Sequence, residues 1–241
     1  MATRFSPLVP EPALTSAAMA FAENGHVRIE TVFSPGAAAS LYRHLSGELA
    51  WSRVFNQGEK TWDLGPESIT ALAGADAPLL EAVHRSARDG FQFLFDSFRV
   101  SDHPGERAGR ALLVDQLIDA LNGQAWINVL RRVTGFASIA MVDGQATRYL
   151  PGHFLTGHDD DVTGKNRLAA YVINLTPNWR TEWGGLLQFH DAADDVRFAY
   201  RPCFNAIHLF RVPQLHSVSY VAPFAPEPRF SITGWLRGAP A

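Results

Sequence analysis

The side chains best suited to chemistry cluster in Arg148 to Asp161, RYLPGHFLTGHDDD. His158, Asp159 and Asp160 form a His-x-Asp triplet. On a strand, residues two apart point to the same side, so an imidazole and a carboxylate at these positions can take adjacent corners of one metal ion. Alone, the triplet recurs by chance in polar loops. A third nitrogen donor is available at His216, in VPQLHSVSYV, at the start of a β-like run. Two imidazoles and one carboxylate on one face leave coordination positions open. Nitrogen and oxygen donors suit ferrous iron, and zinc can occupy the same ligands.

A second group lies near the C-terminus, in Arg229-Phe230-Ser231-Ile232-Thr233-Gly234-Trp235. Arg229 and Ser231 are two apart and share a face if this run is a strand. A guanidinium fork beside a hydroxyl suits a carboxylate, and an arginine placed in a core needs such a partner. The pair therefore points to a carboxylate-bearing ligand next to the metal.

In order along the chain, these motifs resemble the Fe(II)- and 2-oxoglutarate-dependent dioxygenases of the prolyl-hydroxylase group. Tyr149 and Gly152 precede His158 as that group's Tyr-x-x-Gly precedes its His-x-Asp. Gly184-Gly185-Leu186 fits its Gly-Gly-x-Leu turn. His216, Val218 and Val221 match the distal His-x-Val-x-x-Val, and Arg229, Ser231, Gly234 and Trp235 match the final element. The resemblance spans about 136–238 and is nearest to the branch that hydroxylates a prolyl residue of a small-subunit ribosomal protein. It implies His158, Asp160 and His216 as iron ligands, Arg229 as partner of the 2-oxoglutarate C5 carboxylate, and Ser231 and Tyr149 as aids in holding that cosubstrate. It implies Fe(II), 2-oxoglutarate and O₂ as cofactors, with ascorbate as an optional addition. The implied reaction hydroxylates a C–H bond of a prolyl residue in a protein or peptide; a free amino acid or small metabolite is the alternative substrate. A metal-binding jelly-roll module without turnover is the alternative of another class. All four key positions being present speaks against it, and Arg229 with Ser231 speaks against a cupin-like hydrolase or isomerase. Two departures stand out. The stretch between Val221 and Arg229, APFAPEP, is rich in proline. The 241 residues also leave no room for the second related domain of the ribosomal branch.

The elements that must carry these groups change character along the chain. Residues 11–23 are alanine-rich and end at Asn24-Gly25; Ser34-Pro35 reads as an N-cap and first-turn proline opening a helix to about residue 50. Apolar residues at three- and four-residue spacing predict a long helix over 77–100 with Gly90 as a weak point. One or two helices follow over 111–134, broken near Asn122-Gly123. From about 136 the chain turns to short β-rich runs, VINL, GGLLQF, VRFAY and NAIHLF, bounded by turn residues. Helices followed by strands predict an α+β fold. The expectation is one catalytic domain over 1–241: helical support at about 10–135 on a double-stranded β-helix, or jelly roll, at about 136–238.

Composition excludes several classes. Apolar residues make up 46% and charged residues 19%, ordinary for a globular chain. A net charge of −3 gives no support for nucleic-acid binding. The single cysteine, Cys203, rules out an intrachain disulfide and a multi-thiolate zinc site. No run reaches membrane-spanning length, so no membrane contact is expected. The N-terminal segment does not read as a signal peptide, which makes the cytoplasm the expected location. Asp159, between two ligand positions, reads as solvated, Asp161 as a turn residue, and the phenylalanines of 91–98 as core. His190 and His208 read as satisfied structural histidines, Arg148 and Arg167 as surface arginines, and Cys203 as an inert thiol. His153 reads equally as structural or substrate-facing, Trp179 and Trp183 as binding residues or a cap on the barrel end, and Tyr171 and Asn174 as candidates to line the cosubstrate pocket.

Overall fold

The computed structural model describes residues 4–72, 74–75 and 77–239. Among them the helices are α1 (Glu11–Asn24), α2 (Pro35–Gly47), α3 (Pro66–Leu72), α4 (Ala77–Ser86), α5 (Pro104–Arg110), α6 (Leu113–Leu121) and α7 (Gln124–Thr134). The strands are β1 (His26–Glu30), β2 (Ser52–Gln57), β3 (Lys60–Leu64), β4 (Phe93–Arg99), β5 (Ile139–Val142), β6 (Gln145–Tyr149) and β7 (Phe154–His158). They continue with β8 (Arg167–Asn174), β9 (Leu187–His190), β10 (Val196–Tyr200), β11 (Ala206–Arg211), β12 (His216–Val218) and β13 (Arg229–Gly238).

The helix ends follow local chemistry. Ser34 Oγ accepts from the amide of Ala37 and caps α2. Gly25 and Gly135 take left-handed backbone to close α1 and α7. Asn122-Gly123 separates α6 from α7, as expected.

The strands form one curled antiparallel sheet in the order β1-β11-β8-β13-β6-β4-β7-β12-β9-β10, with the β2–β3 hairpin on β4 and β5 on β13. This is a jelly-roll fold of mixed α and β content. Alternation on the long central strand β13 sorts the two faces. Phe230, Ile232 and Leu236 join Ile173, Ile207 and Leu209 under a helical layer contributed by Leu41, Leu117, Trp126 and Leu130. Arg229, Ser231, Thr233 and Trp235 occupy the other face, toward the interior of the curl.

The boundary near residue 136 is a correction. Strands β1 to β4 precede it, and β4 lies at the centre of the sheet between β6 and β7. The long helix over 77–100 is a second correction. Only α4 is helical; the chain turns at 87–90 and runs on as β4. Phe91, Phe93 and Phe95 satisfy a period of two as well as a helical stripe, and strand pairing on both sides of β4 decides the outcome.

Candidate metal and carboxylate site

β7 and β12 pair with His216 directly opposite His158. Their imidazole centroids are 4.1 Å apart. Asp160 joins them by a different route from strand alternation, which is a further correction. β7 ends at His158, Asp160 lies beyond it with φ of 65°, and this left-handed turn swings the carboxylate back. The turn is held by Asp159 Oδ1, which accepts from the Asp161 amide at 3.0 Å, and by Arg167 Nη1, which donates to the Asp160 carbonyl at 3.0 Å. Asp159 itself is exposed and Asp161 sits in the turn, as their bland readings expected.

The Asp160 carboxylate lies 3.5 Å from Nε2 of each histidine, and one ligand atom from each of the three residues falls within 4.8 Å of the others. Nδ1 of His158 faces the Thr156 carbonyl at 3.0 Å and Nδ1 of His216 faces the Gln214 carbonyl at 2.7 Å. Both carbonyls accept, so Nδ1 carries the proton and Nε2 keeps its lone pair for a metal. Burial, with the neighbouring His158, pushes His216 down to about 4, so its imidazole is neutral at pH 7. Burial alone would raise the Asp160 carboxyl, and the two facing imidazoles hold it below its ordinary value.

These groups line a cavity of about 550 Å³. One wall is an aromatic ladder. Phe91, with its ring 5.8 Å from that of His158, is followed by Phe93 at 5.7 Å, Phe95 at 5.6 Å and Tyr149 at 5.2 Å. Phe91, Phe93 and Phe95, expected in the core, thus line the site instead, whereas Phe98 packs against the main core as expected. The ladder ends at Arg229, whose guanidinium is 5.2 Å from the Tyr149 ring.

Arg229 is 2% exposed, and no carboxylate pairs with it among the described residues. Its Nε has no hydrogen-bond partner, and Nη2 donates to Asn174 Oδ1 at 3.4 Å. Beside it Ser231 Oγ lies 2.8 Å from Thr147 Oγ1. Thr147 was not foreseen; its register opposite Ser231 on β6 was the available signal, once β6 is known. Gly185 closes this end. Its φ is 62°, and a Cβ there would approach Arg229 Cδ to 2.9 Å.

Other residues fall on either side of their expectations. Tyr171 borders the cavity, as expected, while also packing in the helix-facing core and donating through its hydroxyl to the Asp143 carbonyl at 2.8 Å; Asn174 is buried behind the cavity wall against Arg229. Arg167 is no surface arginine; it stacks on Trp235 at 3.5 Å and borders the cavity. Arg148 and Arg53 both bind the fully buried Asp96. His190 is satisfied by Asp194 and Ser217. His208 is not: its Nε2 is buried without a partner. His153 is 1% exposed with Nδ1 unpartnered, which excludes contact with a substrate. Trp179 is buried and donates to the Gly184 carbonyl at 2.9 Å, capping the barrel end against Trp183. Burial raises the Cys203 thiol and disfavours its reactive thiolate.

Comparison with known proteins agrees with this geometry. Residues 144–237 match the family model described as 2OG-Fe(II) oxygenase superfamily. Over 237 residues the chain is 24% identical to the prolyl 3-hydroxylase OGFOD1 of Mus musculus, covering 90% of this chain and 41% of that protein. A prolyl-4-hydroxylase from Pseudomonas putida superposes with a TM-score of 0.60 at 17% identity, covering 94% of this chain and 100% of that one. A Trichoplax adhaerens prolyl hydroxylase, solved with a peptide fragment of the hypoxia inducible factor oxygen degradation domain, gives 0.53 at 18% identity, covering 95% and 90%. At these identities the structural likeness shows the shared fold.

Proposed function

We propose that this chain is a 2OG-Fe(II) oxygenase of the prolyl-hydroxylase type and that it hydroxylates a prolyl residue in a protein or peptide. The observation that carries the reading is the pairing, in one cavity, of a His-Asp-His cluster with a buried arginine that lacks an anion. The donor set fits ferrous iron. The unpartnered Nε of Arg229, in a buried guanidinium beside the Tyr149 ring, fits the distal carboxylate of 2-oxoglutarate.

His158, Asp160 and His216 would hold the metal through Nε2 of each histidine and the Asp160 carboxylate. Arg229, with Ser231, Thr147 and Tyr149, binds the C5 carboxylate. The Phe91–Phe93–Phe95 wall excludes water from the space between. When bound, iron and 2-oxoglutarate supply the oxidant: O₂, 2-oxoglutarate and a substrate C–H bond become CO₂, succinate and a C–OH group. Ascorbate serves to keep the iron ferrous. Phe91, half-exposed at the mouth beside His158, gives an apolar platform for a pyrrolidine ring. The peptide in the Trichoplax complex supports a polypeptide substrate over a free amino acid. A cytoplasmic location accompanies this reading. Among the described residues no helix is long and apolar enough to cross a membrane.

The test is Fe(II)-dependent succinate formation with a panel of proline-containing peptides, read together with the peptide mass. Succinate rising in step with the gain of one oxygen atom on proline is the expected result. Coupled oxidation of a free amino acid, with no peptide modified, contradicts the substrate class.

A further inference from the structure

Asn174, Ser231 and Thr147 form a row across three adjacent strands. Ser231 on β13 stands opposite Asn174 on β8 and opposite Thr147 on β6. All three side chains are buried, at 0%, 0% and 2% exposure, and of the three Thr147 lines the cavity. Arg229 is two residues from Ser231 on the same face. Its side-chain hydrogen bond is the one from Nη2 to Asn174 Oδ1 at 3.4 Å.

The Asn174 amide has only one acceptable orientation. A guanidinium only donates, so the amide oxygen must face it. The amide nitrogen then faces His208 Nδ1 at 3.3 Å and the Val172 carbonyl at 3.4 Å. His208 Nδ1 must therefore accept, which places the imidazole proton on Nε2. Burial and the nearby Arg229 hold His208 neutral, consistent with that tautomer. With the amide reversed, its nitrogen would oppose the guanidinium, donor against donor, and its oxygen would oppose the Val172 carbonyl, acceptor against acceptor. The Val172 carbonyl, with His208 Nδ1 as a second acceptor, thus orients the amide, and the amide oxygen orients the arginine.

We propose that Asn174, oriented by the Val172 carbonyl and His208, is the positioning residue of Arg229 and sets the preference of the site for a 2-oxo acid with a distal carboxylate. This rests on the cosubstrate reading above. An asparagine suits the task where an aspartate does not. Its neutral oxygen orients the guanidinium and leaves the positive charge for the ligand, whereas a carboxylate at the same place would pair with Arg229 and compete.

The test uses Fe(II)-loaded protein without oxygen and calorimetric binding of two probes, 2-oxoglutarate and 2-oxovalerate. They share five carbons and the metal-chelating end; only the first has a distal carboxylate. Wild type should prefer 2-oxoglutarate. Asn174→Asp should shrink that preference about 30-fold or more and Asn174→Leu about 10-fold, with 2-oxovalerate binding within about threefold of wild type. His208→Leu, which removes the second acceptor of the amide, should shrink it by a smaller factor; Asn174→Ser serves if the larger replacements do not fold. An unchanged preference in the Asn174 variants overturns the inference, as does equal weakening of both acids, which marks a structural role. If wild type itself binds both acids equally, the assignment of Arg229 fails first and the inference falls with it.

Discussion

Replacing Arg229 by methionine should have opposite effects in the free and the cosubstrate-bound protein. The guanidinium is buried with Nε unpartnered, a single 3.4 Å bond to Asn174 and the face of Tyr149 at 5.2 Å. That cation–π contact returns about 1 kcal/mol, well short of the several kcal/mol needed to desolvate an ion. Exchanging an uncompensated buried ion for an apolar side chain of similar volume is commonly neutral or stabilising by about 1–4 kcal/mol. The free Arg229→Met protein should therefore melt no lower than wild type, and as much as about 16 °C higher at about 2–4 °C per kcal/mol. With 2-oxoglutarate the sign reverses. Two charge-assisted hydrogen bonds at about 1.5–3 kcal/mol each amount to about 3–6 kcal/mol, or a loss of affinity of about a hundredfold to ten-thousandfold. At 100 times its dissociation constant the cosubstrate stabilises wild type by about 2.7 kcal/mol, a rise of about 5–10 °C. The same concentration should move the variant by less than about 2 °C. The assay is thermal unfolding of the Fe(II)-loaded proteins under nitrogen, with and without 2-oxoglutarate. A free variant that melts well below wild type while keeping the full ligand shift would refute this reasoning and make Arg229 a structural residue.

Two further outcomes follow from buried groups and tight turns. Burial pushes His153 down to about 4, so between pH 6.5 and 4 the unfolded chain takes up a proton that the folded chain refuses. Stability should fall as pH drops through that window, by about 3 kcal/mol from this residue, and His153→Leu should flatten the pH dependence of urea unfolding by that amount; an unchanged slope contradicts it. Gly184 has φ of 70°, and a Cβ there would lie 2.0 Å from the Tyr220 carbonyl oxygen, so Gly184→Ala should cost about 3 kcal/mol or more in unfolding free energy. Gly185→Ala, which crowds Arg229, should weaken 2-oxoglutarate about tenfold and leave Fe(II) affinity unchanged; parallel losses in calorimetry would contradict that link.

The sequence carried the site better than its setting. Arg229 and Ser231 sit on one strand whose alternation is local, so their shared face was legible from residue order alone, while Tyr149 was reached through the family resemblance. Asp160 reaches the cluster through a left-handed turn, and strand alternation cannot express that. The phenylalanines of β4 fit two periods at once; only pairing with β6 and β7, far off in sequence, selects the strand and turns Phe91, Phe93 and Phe95 into a cavity wall. Thr147 and His208 have no motif of their own and gain meaning only from register across the sheet, which also turns Asn174 from a candidate pocket residue into the partner of Arg229. Arg148 and Arg167 looked like surface arginines because their partners, Asp96 and Trp235, stand far away in the chain.

The most direct measurement is made without oxygen. Fe(II) and then 2-oxoglutarate are added to metal-free protein, and the visible spectrum is searched for the weak charge-transfer band of an iron-bound 2-oxo acid. The expected result is a band that appears with wild type, is lost in Asp160→Ala, and in Arg229→Met needs far more 2-oxoglutarate to develop. Iron binding without a band, or a band of full strength in Asp160→Ala, would contradict the assignment of the site.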